Sequence, residues 1–435
     1  MRRAHRLLTV SLLISSTAIV TAAETGATAA QAGAMATHAE STATQAGVTA
    51  THAESTATQA GVTAAQAGST AAQAGVTATH AGATATQAGP AQSPIAGGGA
   101  PPGSVISSSV AALPKELAGA ATGRFVKYVT TDVRGERITA TGLVLTPRTN
   151  RKDNVVVWAH GTTGLADRCA PSTHQDVFWP EARAAVAELL SRGWTVAAPD
   201  YPGLGTPQPH PYLIGASEGR SIIDSVRAAR RLNPSLSAKY AIDGHSQGGQ
   251  GALFANQLAP SYDGDLQLRG TAGIAPVSNV DVLAPQIPGT PGQGYLVMGV
   301  YGLSAVEPSF RPADVLAAPA RQRAGVLETG CLTEILAAYA PLTATQLLNG
   351  GQLPDAWVAK LAHYDNPAQT APSAPILIVQ GTADEAVPAA VTDILVDQLD
   401  DYRPVRYDKL PGQTHDGAVF ASTETVADWI ADRLR

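Results

Sequence analysis

The chain has 435 residues, a formal net charge of −6 and 15 % charged side chains, which suits one large domain with additions. No basic block stands behind that charge, which argues against a nucleic-acid partner. No metal-ligand spacing, phosphate loop or dinucleotide fingerprint occurs, so neither a metal nor a cofactor is expected.

Residues 1–23 read as a secretory signal peptide. Arg2, Arg3 and Arg6 precede an apolar run over 7–20, and Ala22 and Ala23 provide small residues for cleavage. The run is short for a membrane span, so the expectation is a secreted, extracellular protein, with retention at the cell surface as the other reading. Within residues 24–108, from about 31 to 87, a seven-residue unit repeats, as in Gln45-Ala46-Gly47-Val48-Thr49-Ala50-Thr51. Nothing larger than Val or Met recurs in it, and glycine costs a helix about 1 kcal/mol, so a coiled coil is not expected. Such a composition cannot bury enough apolar surface to offset ordering entropy and predicts a disordered tether. His38, His52 and His80 recur with the unit and are explained by its repetition.

From 109 to 435 the patterning is that of a folded domain. Alternation over 125–131 and 138–145, around a turn at 133–136, predicts an opening antiparallel hairpin. The continuous apolar run over 155–159 suits a strand buried on both faces. A helix over 181–192 then leads to a strand over 195–198, and a helix over 221–232 leads to a strand over 240–242. A helix over 251–258 follows, then a strand from Gly270. Late strands are expected over 375–380 and 405–410, and an amphipathic helix over 425–434 puts Val426, Trp429, Ile430 and Leu434 on one face. Alternating strand and helix predicts an α/β fold: a mostly parallel sheet with helices on both faces. The alternation stops over about 279–370. An insertion there lies above the carboxyl ends of the strands, where ligands bind, and reads as a helical cap.

The chemistry centres on Gly244-His245-Ser246-Gln247-Gly248, a Gly-x-Ser-x-Gly elbow between a strand and a helix. The same pattern occurs at Gly215-Ala216-Ser217-Glu218-Gly219, but no strand feeds that copy, and Ser217 reads as a helix-start residue. A serine nucleophile needs a base and an orienting carboxylate. Asp384 stands just past the strand over 375–380, and His415 lies in the loop after the last strand. The order Ser246, Asp384, His415 is that of α/β hydrolases. Glu385 and His363 are the weaker alternatives. An oxyanion would be held by two backbone N–H groups: that of Gln247 directly after the serine, and that of Thr162 in the loop His160-Gly161-Thr162-Thr163-Gly164. The loop starting at Asp200 reads as the pocket rim. The two cysteines, Cys169 and Cys331, pair by default in an oxidising compartment, two separate buried thiols being the alternative.

Together, Ala159-His160-Gly161-Thr162-Thr163-Gly164, Cys169-Ala170-Pro171-Ser172, the loop from Pro199 to Gly205, Gly244-His245-Ser246-Gln247-Gly248-Gly249 and the loops of Asp384 and His415 resemble the secretory lipase family of α/β hydrolases. The resemblance covers roughly 115–435. It departs from the fungal members in placing Thr162 where they carry an acidic residue. It implies the α/β-hydrolase fold with a helical cap, no cofactor, and serine-dependent hydrolysis of small or lipid esters such as acylglycerols. Transient contact with a lipid interface through the cap goes with that reading. The alternatives are a serine peptidase or acyltransferase on the same fold, or a surface-display protein in which the repeats carry the function.

Overall fold

The computed structural model describes residues 99–435. The expected signal peptide and most of the expected tether lie outside them. Helices of two turns or more are numbered below in chain order.

Among the described residues, nine strands form one sheet in the order β1-β2-β3-β5-β4-β6-β7-β8-β9. They are β1 (Val105–Ala111), β2 (Ala121–Thr131), β3 (Arg137–Pro147), β4 (Val155–Ala159), β5 (Thr195–Pro199), β6 (Lys239–His245), β7 (Gln267–Ile274), β8 (Ile376–Gly381) and β9 (Arg406–Leu410). Strands β2 and β3 make the expected hairpin, in register from Ala121↔Pro147 to Thr131↔Arg137. Its turn is held by Asp132, whose carboxylate accepts the N–H groups of Arg134 and Glu136 at 2.9 and 2.8 Å. From β5 to β9 every pairing is parallel.

Strand β1 corrects the boundary expected at residue 108. It starts at Val105 and pairs antiparallel with β2, so the folded domain begins before that point. The strand was hidden by its composition: three serines stand at its centre, and Ile106 and Val110 face outward at 45 % and 84 % exposure. An edge strand held mainly by backbone pairing need not show apolar alternation.

Every residue of β4 is buried, because alternate side chains enter two different cores. Val156 and Trp158 meet α1 (Pro180–Ser191) and α8 (His415–Arg433) on one face. Val155, Val157 and Ala159 meet α2 (Gly215–Leu232) and α3 (Gln247–Tyr262) on the other. Beyond α3, helix α7 (Ala389–Asp400) packs Leu395 and Leu399 on Ile376 and Ile378 of β8. Helix α8 begins ten residues before the predicted helix. Thr414 caps it by accepting the Gly417 N–H at 3.2 Å, and Ala418, Val419, Ser422 and Val426 are buried against the sheet. Packing of that face overrides the low helix propensity of Gly417, Ser422 and Thr423.

Between β7 and β8 the chain forms α4 (Gln293–Val306), α5 (Leu332–Tyr339) and α6 (Asp355–Asp365) with several single turns. This stretch has its own apolar core, with Leu296, Val300, Ile335, Tyr339 and Trp357 among its members. Three connections tie it to the loop after β4. Cys169 and Cys331 form a disulfide, Leu332 N–H donates to the Thr163 carbonyl at 2.8 Å, and Gly164 bridges Cys331. The disulfide closes a loop of sequence separation 162, which restricts the unfolded chain strongly. Replacing both cysteines by alanine is expected to lower stability by about 4 kcal/mol, read as a lower urea midpoint. An unchanged midpoint would mean that native contacts already hold these segments together. Among the described residues, no helix is long and apolar enough to cross a membrane.

Candidate active site

Ser246 joins β6 to α3 with φ 54° and ψ −116°, a conformation that non-glycine residues seldom adopt and that surrounding structure must enforce. The surroundings do so from both sides. A Cβ on Gly244 would lie 2.3 Å from the Gly248 carbonyl oxygen, and one on Gly248 would lie 1.9 Å from that of Ala159, so the elbow closes only with glycine at both places. The Ser246 N–H donates to Ile274 at 2.9 Å, and its carbonyl accepts from Gln250 at 3.0 Å. The second copy of the pattern is different: Ser217 lies inside α2 at 1 % exposure, where no substrate reaches it.

Asp384 follows β8 and is buried. One carboxylate oxygen accepts the N–H groups of Ala386 and Val387 at 2.9 and 2.8 Å. The other accepts Gln380 Nε2 at 2.9 Å and His415 Nδ1 at 2.7 Å. An ionised carboxylate only accepts, so His415 carries its proton on Nδ1 and presents a lone pair at Nε2. Gln380 is in turn held by Thr392 Oγ1 at 2.7 Å. Sequence reasoning missed Gln380, although as the outgoing end of β8 it stands beside Asp384. The histidine sits at the first position of α8 and not in a free loop, so the helix fixes its backbone. Glu385 is exposed on the cavity wall and His363 is exposed on α6, away from it.

Ser246 and His415 open into one cavity of about 760 Å³. No hydrogen bond joins the two in this arrangement; the His415 ring lies against that of His245, with centroids 4.6 Å apart. Gly161 and Thr162 form another part of the wall, and Tyr295, Leu332 and Thr333 reach it from the inserted stretch. Thr162 Oγ1 is tied to the Tyr212 hydroxyl at 2.8 Å, and its carbonyl accepts Trp179 Nε1 at 3.3 Å. Trp179, Ala383, Ala386 and Phe420 complete an apolar side, and Glu181, Glu385 and Asp416 supply carboxyls. Burial pushes the Glu181 carboxyl up to about 7, and the nearby Asp416 adds to the rise.

The loop from Asp200 is not the rim of this cavity. Asp200 is buried and binds Thr141 Oγ1 at 2.7 Å, the Ser172 N–H at 3.0 Å and the Ser172 hydroxyl. It therefore ties β3 to the segment before α1. Tyr201 donates its hydroxyl to the His160 carbonyl at 2.8 Å, which supports the loop of Thr162 from behind.

Gln247 is the first residue of α3, where a backbone N–H has no intrahelical acceptor. Its side chain turns inward and donates to Glu218 Oε1 at 2.8 Å, within 3.2 Å of His210 Nε2. Glu218 also accepts the Leu213 N–H at 3.0 Å, and burial raises its carboxyl from 4.5 to about 8. It belongs to the second copy of the glycine–serine pattern, so that stretch supports the elbow and does not compete with it. The folded state thus holds a proton on Glu218 between about pH 4.5 and 8 that the unfolded chain releases. The stability linked to it is present below pH 4.5 and lost as the pH rises through 8. Glu218→Gln retains the accepting oxygen and removes the titration. Its unfolding temperature is expected to gain on that of the wild type steadily from pH 5 to 8. Parallel curves would mean that Glu218 is ionised in the fold.

A sequence profile of the secretory lipase family matches residues 180–435. A secreted triacylglycerol lipase of Malassezia globosa is 32 % identical over 184 residues, 40 % of this chain and 38 % of that protein. Lipase A of Moesziomyces aphidis is 29 % identical over 213 residues, 46 % of this chain and 45 % of that protein. The chain thus spans less than half the length of these curated relatives. Among solved structures, the closed state of Candida antarctica lipase A superposes with a TM-score of 0.61 at 20 % identity, covering 72 % of this chain and 78 % of that one. The rice cell wall degrading esterase LipA of Xanthomonas oryzae superposes with a TM-score of 0.64 at 21 % identity, covering 77 % of this chain and 100 % of that one. These likenesses identify the α/β-hydrolase fold. The matched stretch runs from the start of α1 through the elbow to the end of α8, and the chain belongs to the secretory lipase family.

Proposed function

We propose that the chain is a secreted serine hydrolase that cleaves carboxylic esters, acylglycerols or other fatty acyl esters among them. The observation that carries this reading is the Asp384–His415 hydrogen bond at 2.7 Å beside a cavity that also receives the strained Ser246. In the proposed reaction Ser246 Oγ attacks the ester carbonyl while His415 Nε2 takes its proton, and Asp384 stabilises the imidazolium through Nδ1–H. The tetrahedral oxyanion accepts the backbone N–H groups of Gln247 and Thr162, the first of them at the positive end of α3. Collapse expels the alcohol, which takes the proton from His415. Water then repeats the sequence on the acyl-enzyme and releases the acid.

The apolar wall of Trp179, Tyr295, Leu332 and Phe420 suits an acyl chain. Phe420 is 50 % exposed at this cavity, which supports contact with a lipid surface beside the inserted stretch. On this reading residues 279–370 act as the cap. The triacylglycerol lipase of Malassezia globosa supports an acylglycerol substrate, and its description as secreted agrees with the signal peptide expected over residues 1–23.

The test is hydrolysis of p-nitrophenyl esters from acetate to palmitate by the purified mature protein, beside p-nitroanilides of matched acyl length. Ester turnover without anilide cleavage is expected. Anilide cleavage in the absence of ester turnover would replace this reading by a peptidase.

A further inference from the structure

His245 is the one residue of the elbow that the proposed reaction leaves unused. It is 3 % exposed, and its Nε2 is buried without a hydrogen-bond partner among the described residues. A buried polar atom left unpaired costs about 1–3 kcal/mol and calls for an explanation. Two other donor atoms stand around it. His415 Nε2 is free because Nδ1 is committed to Asp384, and the exposed Asp416 has its Oδ1 4.0 Å from His245 Nε2. One ligand atom from each of the three residues lies within 4.8 Å of the others.

We propose that His245, His415 and Asp416 form a site for a borderline-soft divalent ion such as Zn²⁺, and that filling it switches off ester hydrolysis. The proposal rests on the ester-hydrolase reading for its effect but not for its geometry. Two imidazole nitrogens and one carboxylate oxygen are a donor set that zinc prefers. Zinc–ligand distances of about 2.0–2.2 Å require donor atoms roughly 3.4 Å apart. The present separations, up to 4.8 Å, therefore need up to about 1.4 Å of closure, supplied by rotation of the exposed Asp416 side chain together with tilting of the two imidazole rings toward each other. The Asp384 carboxylate on the far nitrogen of His415 is the outer-shell arrangement that orients metal-bound histidines. All three residues line the cavity, so a water from it completes the shell, and the exposed Glu385 carboxyl stands on the same wall. A metal on His415 Nε2 occupies the lone pair that would take the serine proton.

The experiment uses chelator-stripped mature protein, calorimetry with ZnCl₂, the visible spectrum with CoCl₂, and p-nitrophenyl butyrate turnover. Wild type is expected to bind zinc in the micromolar range, to give a tetrahedral cobalt spectrum, and to lose turnover in step with occupancy until EDTA restores it. Asp416→Asn, with its turnover referred to its own metal-free rate, should bind one equivalent fewer and resist inhibition at least about tenfold more strongly. That difference also separates this site from the repeat histidines His38, His52 and His80. His245→Gln, checked for an unchanged unfolding temperature, should lose the cobalt spectrum. Unchanged turnover at 1 mM Zn²⁺, or equal inhibition of wild type and Asp416→Asn, would overturn the proposal. Zinc binding with the cobalt spectrum but without any ester turnover would leave the site standing and remove the hydrolase reading instead.

Discussion

Ser246→Ala is expected to lower kcat for p-nitrophenyl butyrate about a million-fold, the loss seen when a triad nucleophile is removed. The substitution deletes one hydroxyl and little else. Alanine has the same backbone demand as serine at φ 54°, and the contacts that enforce the turn come from Gly244, Gly248, Ile274 and Gln250. The unfolding temperature should therefore stay within a degree or two of wild type while turnover disappears. Residual activity within a hundredfold of wild type would remove Ser246 as the nucleophile. Ser217 could not replace it without opening the packed interior of α2, so the ester-hydrolase reading would go with it.

The second large effect is expected from Asp384→Asn, at about ten-thousand-fold in kcat. The size follows from which atoms surround the carboxylate. The N–H groups of Ala386 and Val387 both point at Oδ1, so the amide oxygen must take that place. The amide NH₂ then occupies the Oδ2 position, facing His415 Nδ1 and Gln380 Nε2. Gln380 cannot easily turn its own oxygen toward that group, because Thr392 donates to it at 2.7 Å. His415 avoids the donor–donor contact by moving its proton to Nε2, which leaves no lone pair for the serine. Proton NMR should show the loss of the far-downfield Nδ1–H signal together with the loss of turnover. A variant that kept a tenth of wild-type activity would show that another group orients His415.

Several parts of this arrangement were legible in the residues themselves. The run over 155–159 announced a strand buried on both faces, because a five-residue apolar segment has no polar side to offer water. The glycines around Ser246 announced the elbow, because only glycine survives backbone contacts of about 2 Å. The order of serine, aspartate and histidine along alternating strands and helices placed all three at the carboxyl edge of one sheet. Each of these signals is local: a pattern or a backbone requirement that a residue and its neighbours carry alone.

Tertiary structure decided the remainder. Strand β1 exists because β2 offers it a backbone ladder, and its serines gave no sign of that. Helix α8 starts at His415 because its face packs on the sheet, which a weak local propensity could not foretell. Asp200 became a buried clasp between β3 and Ser172, and Glu218 became the support of Gln247 across 29 positions of sequence. The two cysteines alone allowed a bridge, but only the fold shows that it clamps the inserted stretch to the loop of Thr162. His245 and Asp416 stand 171 positions apart (416 − 245) and meet only because β6 and the start of α8 reach the same edge of the sheet. The sequence alone thus determined where Ser246, Asp384 and His415 lie along the chain, through backbone sterics and short-range pattern. Which side chains surround and hold them was decided by contacts between segments far apart in sequence, where burial and hydrogen-bond partners exist only once the chain has closed on itself.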